Sequence, residues 1–536
     1  WIMAEISTTI NPRYRTIDIT SFEYPAVSLD VQFPTVNRGR ILPKGKGFSF
    51  KLEKPSVSFK TYRAICEHGL KVEADRVLRT RKRSFLTPDA IWAGVLAFAT
   101  STNKRTNFSG YAEALRKLEI ELNINEKIKP ITFEEATEKL PRNTSPGLPY
   151  IQTHPGLKKG DILQLYHNSL SYYWHRVGSG DKVVPLPDCA AFARSHITAS
   201  TENKVRPVWA YPLYAISQEA RFASPLIDSI RNQECLEHSA YGMEMLKGGM
   251  TWLNNQLHRA RKRGATGYLC LDFSAFDASI PAWLIRDVFS IIKKKFIMTD
   301  SDERIFRVLI NYFINTPIRN LDGRRFQKDH GIPSGSMFTN IIGTCINFVM
   351  MHTILDSKFQ LMFLNVFGDD SVAAVKGIIN INDLQDDFLR IFGVKINVKK
   401  SYSTSRIENV HYLGYYNFNG DPIKPTTELL ASMLYPQYLK DDWGYTIARA
   451  LGCALASCGN NPNVFIAARA CYIKGARENY ENVPHALKLI IENGRMKRHL
   501  DVMGCGDWVF NESIFFRNEN FFPRLDCTKL QKGILH

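Results

Sequence analysis

The sequence predicts an α+β protein, and three observations predict it. Short apolar segments run into acid-bearing turns at 268–272 and again across 363–375. The segment 336–355 is apolar on nearly all sides, as a buried helix is. From about residue 427 onward the spacing is helical.

Taken in order, residues 1–60 are rich in Pro, Thr, Ser and β-branched types and read as extended, whereas 61–140 carry helical patterns. A basic cluster at Arg79, Arg81, Lys82 and Arg83 reads as a solvated face, with an RNA-facing patch or a nuclear localisation signal as alternatives. Residues 141–150, Pro-Arg-Asn-Thr-Ser-Pro-Gly-Leu-Pro-Tyr, form a rigid irregular loop. A second basic run, Arg259, Arg261, Lys262 and Arg263, ends at Gly264. Tyr268 to Asp272 form a strand that enters a turn. Pro281 then opens a helix on which Leu284, Val288, Ile292 and Phe296 share a face and Lys293 to Lys295 favour the C-terminal end. Phe363 to Phe367 and Val372 to Val375 pair across a Gly368-Asp369-Asp370 turn. Asp441 with Asp442, and Asn461-Pro462, start later helices.

Lys and Arg number 69 against 52 Asp and Glu, a net charge of +17. Such an excess favours a polyanionic partner, with nucleic acid ahead of an acidic membrane surface. The ten cysteines form no C-x-x-C pair and read as reduced thiols of an intracellular protein. Trp1 to Ile10 include Glu5 and lack a basic start, so no secretory leader is expected; Trp1 is not a start residue, so trimming or processing there is expected. The apolar run 341–355 is too short to span a bilayer and is broken by Asn347 and His352. No G-x-x-x-x-G-K-[ST] loop occurs, which excludes a helicase of that type.

The chemistry centres on acids. Asp369 and Asp370 at a hairpin tip are costly between apolar strands unless neutralised, and a hard divalent cation neutralises carboxylates. Taken alone, the pair is an ordinary exposed turn. Asp272, ending another apolar strand, changes this: if the strands are neighbours, Asp272 and Asp369 can bridge two metals for a phosphoryl transfer. Asp277, five residues on, can accept a hydrogen bond from a ribose 2′-hydroxyl or cap the following helix. In Gly331-Ile332-Pro333-Ser334-Gly335-Ser336-Met337-Phe338-Thr339, the small Ser334 and Gly335 permit close approach of a nucleotide or template, and Thr339 needs a partner; a helix cap with a satisfied core threonine is the equal alternative. Lys204 and Arg206 fall on one side of an extended segment and can hold a triphosphate, although taken alone they read as an ordinary surface strand. Lys400, in Lys399-Lys400-Ser401, can protonate a leaving pyrophosphate, with a solvated basic pair as the alternative.

In this order, the segments 271–279, 331–347 and 366–371 resemble viral RNA-dependent RNA polymerases, those of partitiviruses most closely, with picobirnaviruses nearby. Support comes from Ile314-Asn315-Thr316-Pro317, His411-Tyr412-Leu413-Gly414-Tyr415-Tyr416 and Leu429-Leu430-Ala431-Ser432-Met433-Leu434-Tyr435-Pro436, and the resemblance spans roughly 141–440. It implies a right-hand polymerase fold with an antiparallel palm sheet, fingers and a helical thumb. The implied regions are an N-terminal bridging region over 1–100 that closes the ring, fingers over 101–265, palm over 266–295 and 331–425, a fingers insertion over 296–330, and thumb with C-terminal region over 426–536.

The resemblance also implies roles. Asp272 and Asp369, with Asp370 in support, match the ligands of two Mg2+ ions, Mn2+ being the alternative. Asp277 matches the ribose-sensing acid. Lys204 and Arg206, with Arg194 upstream, match the triphosphate-binding strand, and Lys400 matches the general acid. Ser334 and Gly335 match the loop touching template and nucleotide, Thr339 its partner, and Ser145 with Gly147 the loop that admits template. Many relatives outside this group place an asparagine where Gly343 stands here; Asn347 and Asn340 are the substitutes on offer. The implied activity copies RNA into RNA from nucleoside triphosphates without a protein primer. The implied setting is a monomer inside the particle of a double-stranded RNA virus in the host cytoplasm, beside capsid protein and away from membranes. A reverse transcriptase and a non-catalytic RNA-binding or capsid protein are the rival readings. Asp277 and the Ser334-Gly335 loop weigh against the first, and the ordered acids against the second.

Overall fold

The computed structural model describes residues 39–52, 54–124, 126–440, 442–479, 500, 512–516 and 525–534. The extended reading of residues 1–38 and the helix-starting role of Asp441 lie outside them.

Four strands, Gln360–Phe367, Asp370–Lys376, Gly267–Leu271 and Tyr402–Thr404, form an antiparallel sheet in that spatial order. Side chains alternate along a strand. Leu269, Leu271, Leu364, Val366 and Ala373 face the largest core, while Tyr268, Cys270, Phe363, Val372 and Ala374 face a second. Burial on both faces explains why these segments read as continuous apolar runs.

The helix Thr339–Lys358 crosses the largest core, and its residues 341–351 are buried without a break. It begins three residues later than the sequence suggests, because Ser336 to Phe338 stay in the preceding loop. The helix Ala282–Lys293 packs against it, burying Leu284, Val288 and Ile292. Pro281 is its N-cap and no side chain caps it, so Asp277 is free of the capping role.

A second, five-stranded sheet has the order Arg40–Leu42, Arg325–Gln327, Pro317–Arg319, Cys189–Ser195, Val205–Ala210. Its one parallel pairing joins Cys189–Ser195 to Pro317–Arg319. The helices Thr426–Leu434, Trp443–Ala456 and Pro462–Asn479 form a separate core, and into it pack Tyr62, Ile65, Val77 and Leu78 from the helices Phe59–Glu67 and Lys71–Thr80. Asp442 caps the second of these C-terminal helices by accepting from the Tyr445 N–H at 3.1 Å.

The first basic cluster departs from the solvated-face reading. Residues Arg81–Arg83 pair as a strand with Ile197–Ala199. Arg83 is buried, and its guanidinium donates to the carbonyls of Ser195 (2.9 Å) and Tyr435 (2.9 Å). It therefore ties the five-stranded sheet to the C-terminal helices. No described helix is long and apolar enough to cross a membrane.

Candidate active site

The strand register brings the acids together. Ser371 stands opposite Leu271, and Phe367 opposite Asp370, so Asp272 emerges beside the Gly368-Asp369-Asp370 turn. Gly368 has φ +56°, the left-handed conformation that a tight turn needs and glycine adopts without strain. Asn397 fixes Asp272: its side-chain amide donates to Oδ2 at 2.8 Å and its backbone N–H donates to the Asp272 carbonyl at 2.8 Å. The Asp272 N–H donates to Ser401 Oγ at 2.9 Å. Lys400 Nζ stands 4.0 Å from Asp272 Oδ2, so the lysine does reach the acids.

After the short strand Phe273–Ser274 the chain turns sharply at Ala275, φ +49°, into the helical turn Phe276–Ser279 that carries Asp277. A non-glycine residue in this conformation costs roughly 1–2 kcal/mol. That turn is held by Ile332 N–H to the Asp277 carbonyl at 2.7 Å and Gly331 N–H to the Ile280 carbonyl at 2.9 Å. Lost hydration, then the Asp369 charge, pushes the Asp277 carboxyl up to about 7. Asp370 is also pushed up to about 7 by lost hydration and by Asp369 and Asp272. Asp369 is exposed at the tip, yet crowding by protein and the charge of Asp272 raise it too.

Cations face these acids. Arg194 and Arg206 are directly opposed across the pair Cys189–Ser195 and Val205–Ala210, and both are exposed. Like charges in opposed positions destabilise a sheet unless an anion lies between them. The charge of Arg206 acts against the upward shifts of Asp277, Asp369 and Asp370, and that of Lys400 against those of Asp369 and Asp370. Lys204 is lowered by lost hydration, then by Arg206 and Lys400. His196, which the sequence reading passed over, reports on the same cluster: burial, then Arg206, Lys204, Arg83 and Arg194, pushes it down to about 4, so it stays neutral.

The 331–338 loop lies between the two groups. Trp209 N–H donates to Ser334 Oγ at 3.1 Å. A Cβ on Gly335 would stand 2.0 Å from the Trp209 carbonyl oxygen, so only glycine fits against this strand. The Thr339 hydroxyl bonds the Pro333 carbonyl and lies 2.8 Å from that of Ser336, which closes the loop onto the helix. In the 141–150 loop, Gly147 N–H donates to Ser145 Oγ at 3.2 Å, and a Cβ on Gly147 would stand 2.7 Å from the Tyr211 carbonyl.

Asn347 requires a correction. It is fully buried, and its amide donates to the carbonyls of Gly368 (2.9 Å) and Asp370 (3.1 Å). It braces the acidic turn from beneath and does not face a nucleotide. Asn340 lies higher, accepting from the Tyr241 hydroxyl at 2.5 Å, and a Cβ on Gly343 would sit 3.5 Å from Gly368 Cα.

Two buried charged residues escaped the sequence reading. Lys328 is fully buried and donates to the carbonyls of Phe313, Ile314 (2.8 Å) and Gly331 (2.9 Å). These use all three of its donors. Glu219 is 1% exposed and accepts from Ser336 and Met337. The available signal for Glu219 was an acid within a largely apolar helical run, and Lys328, just after a short strand among polar neighbours, gave none.

Among the described residues no three His, Cys, Asp or Glu side chains are gathered as a ready-made metal cage. The donor chemistry nonetheless suits a divalent cation. Three carboxylates stand at adjoining strand ends; beyond lost hydration, the charge of Asp272 raises Asp369 and the charges of Asp369 and Asp272 raise Asp370, a repulsion that a cation relieves.

A family model described as viral RNA-dependent RNA polymerase matches residues 94–433. An RNA-directed RNA polymerase of Cryptosporidium parvum virus 1 is 30% identical over 282 residues, covering 51% of this chain and 52% of the relative. An RNA-directed RNA polymerase of Atkinsonella hypoxylon virus is 26% identical over 324 residues, covering 50% and 47%. The chain thus spans about half the length of the curated relatives it matches. Among solved structures, a Sicinivirus 3Dpol RNA-dependent RNA polymerase aligns at a TM-score of 0.65 and 15% identity, covering 87% of this chain and 99% of that one. The fold is that of a right-hand polymerase. The chain belongs to the viral RNA-dependent RNA polymerase family.

Proposed function

We propose that the protein is an RNA-directed RNA polymerase of a double-stranded RNA virus. The observation that carries this is the register that sets Asp272 beside the Asp369-Asp370 turn, with Arg206, Lys204 and Lys400 exerting their charge on the same site. A primer 3′-hydroxyl gives up its proton to solvent and attacks the α-phosphorus of a nucleoside triphosphate; the new phosphodiester bond forms as the bond from the α-phosphorus to the oxygen bridging to the β-phosphate breaks, and pyrophosphate leaves. Asp272 and Asp369, with Asp370, would hold two Mg2+ ions, or Mn2+ in their place. When bound, these lower the pKa of the attacking hydroxyl and stabilise the leaving oxygen.

The chain's own residues do the rest. Arg194, Arg206 and Lys204 neutralise the triphosphate, which lifts the repulsion between the opposed arginines. Asp277 hydrogen-bonds the ribose 2′-hydroxyl. The Lys400 ammonium gives a proton to the departing pyrophosphate. Ser334, Gly335 and Thr339 shape the floor for template and nucleotide, and Ser145 with Gly147 lines the path by which template arrives.

The lobes are read as a bridging region over 1–100, fingers over 101–265 and 296–330, palm over 266–295 and 331–425, and thumb with C-terminal region over 426–536. The bridging role is supported by the pairing of Arg40–Leu42 with the five-stranded sheet and by the packing of 59–80 among the C-terminal helices. Synthesis without a protein primer, a monomeric state, and packaging with capsid protein in a cytoplasmic particle complete the reading, on the strength of the partitivirus resemblance.

The test supplies purified protein with a short single-stranded RNA, Mg2+ and labelled triphosphates, beside Asp369→Ala. The parent is expected to make RNA and the variant to lose on the order of a hundredfold or more. Equal synthesis by the two would remove the two-metal assignment.

A further inference from the structure

The helix Leu213–Arg231 follows directly on the strand that carries Arg206. Glu219 points from it into the protein interior, 1% exposed. An unpaired buried carboxylate is costly. Arg221, two residues on, does not neutralise it, because that guanidinium serves Asp302 (2.9 Å) and the Ile131 carbonyl (2.8 Å). Burial pushes the Glu219 carboxyl up to about 8, and its hydrogen bonds act against that shift.

Both of its oxygens are used, and both partners belong to one loop. Ser336 Oγ–H donates to Oε1 at 2.8 Å and Met337 N–H donates to Oε2 at 2.9 Å. Ser336 Oγ in turn accepts from the Phe338 N–H at 3.0 Å. These residues follow Ser334 and Gly335 and precede the helix that braces the acidic turn. An apolar side chain would fill the space at lower desolvation cost. What the acid adds is a pair of polar oxygens held against the Met337 amide and the Ser336 hydroxyl of the loop that precedes the helix.

We propose that Glu219 is a positioning residue that couples the triphosphate-binding strand to the 331–338 loop, so that the cations at Arg206 and the floor beneath template and nucleotide hold one fixed spacing. This rests on the polymerase reading above. Two contacts from the strand itself, Trp209 N–H to Ser334 Oγ and the Trp209 carbonyl against Gly335, place the front of the loop. Glu219 places its rear.

The experiment measures steady-state nucleotide incorporation on an RNA template by the parent, Glu219→Leu, Glu219→Gln and Ser336→Ala, with thermal melting at neutral pH alongside. Glu219→Leu removes both acceptors. It is expected to raise KM for the nucleotide about tenfold or more, with kcat within about threefold and melting within about 5 °C of the parent. Glutamine still accepts from Met337 and can donate to Ser336 Oγ, so Glu219→Gln is expected to return KM to within about threefold. Should the leucine variant fail to fold, Ser336→Ala carries the test, with a raised KM expected. An unchanged KM in the leucine or alanine variant, a loss confined to kcat, or failure of glutamine to rescue would each overturn the coupling. If the parent itself makes no RNA, the polymerase reading falls, and the coupling with it.

Discussion

Replacing Asn347 with leucine removes the brace under the acidic turn while nearly conserving volume. Two hydrogen bonds are lost, to the carbonyls of Gly368 and Asp370. Stranding a buried carbonyl costs about 1–3 kcal/mol each. Against this, Asn347 Oδ1 is buried without a partner, and its removal recovers about 1 kcal/mol. The net loss is about 1–5 kcal/mol, and it falls on one hairpin. Spread over the whole chain it shifts melting by only a few degrees. Locally it makes opening of the turn roughly 5- to 5,000-fold easier. Hydrogen exchange at the amides of Gly368 and Asp370 should therefore accelerate by that factor, while strand amides farther from the turn, such as Ala373, change little. Incorporation should slow about tenfold or more as Asp369 loses its fixed place. Exchange at the turn equal to that of the parent would refute the brace.

Three further outcomes are expected. Asp277→Ala should relax discrimination against deoxynucleotides in competition assays, and unchanged discrimination would remove Asp277 from sugar sensing. Gly335→Ala places a methyl 2.0 Å from the Trp209 carbonyl, so the loop must shift and kcat/KM for the nucleotide should fall about tenfold or more; parent-like kinetics would show that the loop yields freely. Glu219 rises from an ordinary 4.5 to about 8, so between those values the folded state holds a proton that the unfolded chain has released. Stability therefore falls as pH rises through that window, by roughly 4 kcal/mol between pH 5 and 8, or about 4 °C for this chain length. Glu219→Gln should flatten the melting curve by that amount, and parallel curves would count against a buried, protonated acid.

The acidic turn was legible in the sequence because its signals are local. A left-handed glycine, two acids and apolar flanks lie within one hairpin, and the Asp272 strand repeats the pattern. Which strands adjoin is not local, and only the register shows Asp272 beside the turn. Asn347 was readable as a polar residue on an apolar helix, but not which side of that helix lies against the hairpin. Arg83 shows the same limit from the other direction. A run of four basic residues reads as solvated, yet the acceptors of this one come from Ser195 and Tyr435, far along the chain. Glu219 and Lys328 were missed because burial of a charge depends on loop donors and carbonyls that no periodicity reveals.

The Arg83 tie also bears on how the molecule is made. Its Tyr435 acceptor lies 352 positions later in the chain. At ~5–20 residues per second, a ribosome needs roughly 20 to 70 s to deliver that partner. Throughout that interval the guanidinium has to remain hydrated, and the apolar faces at Ile65, Val77 and Leu78 wait for helices not yet synthesised. Folding that depends on such distant contacts is slow and exposes sticky surface. Fragments that stop short of residue 426 should accordingly aggregate or recruit chaperones, and the core shared by residues 59–80 and the C-terminal helices should form last.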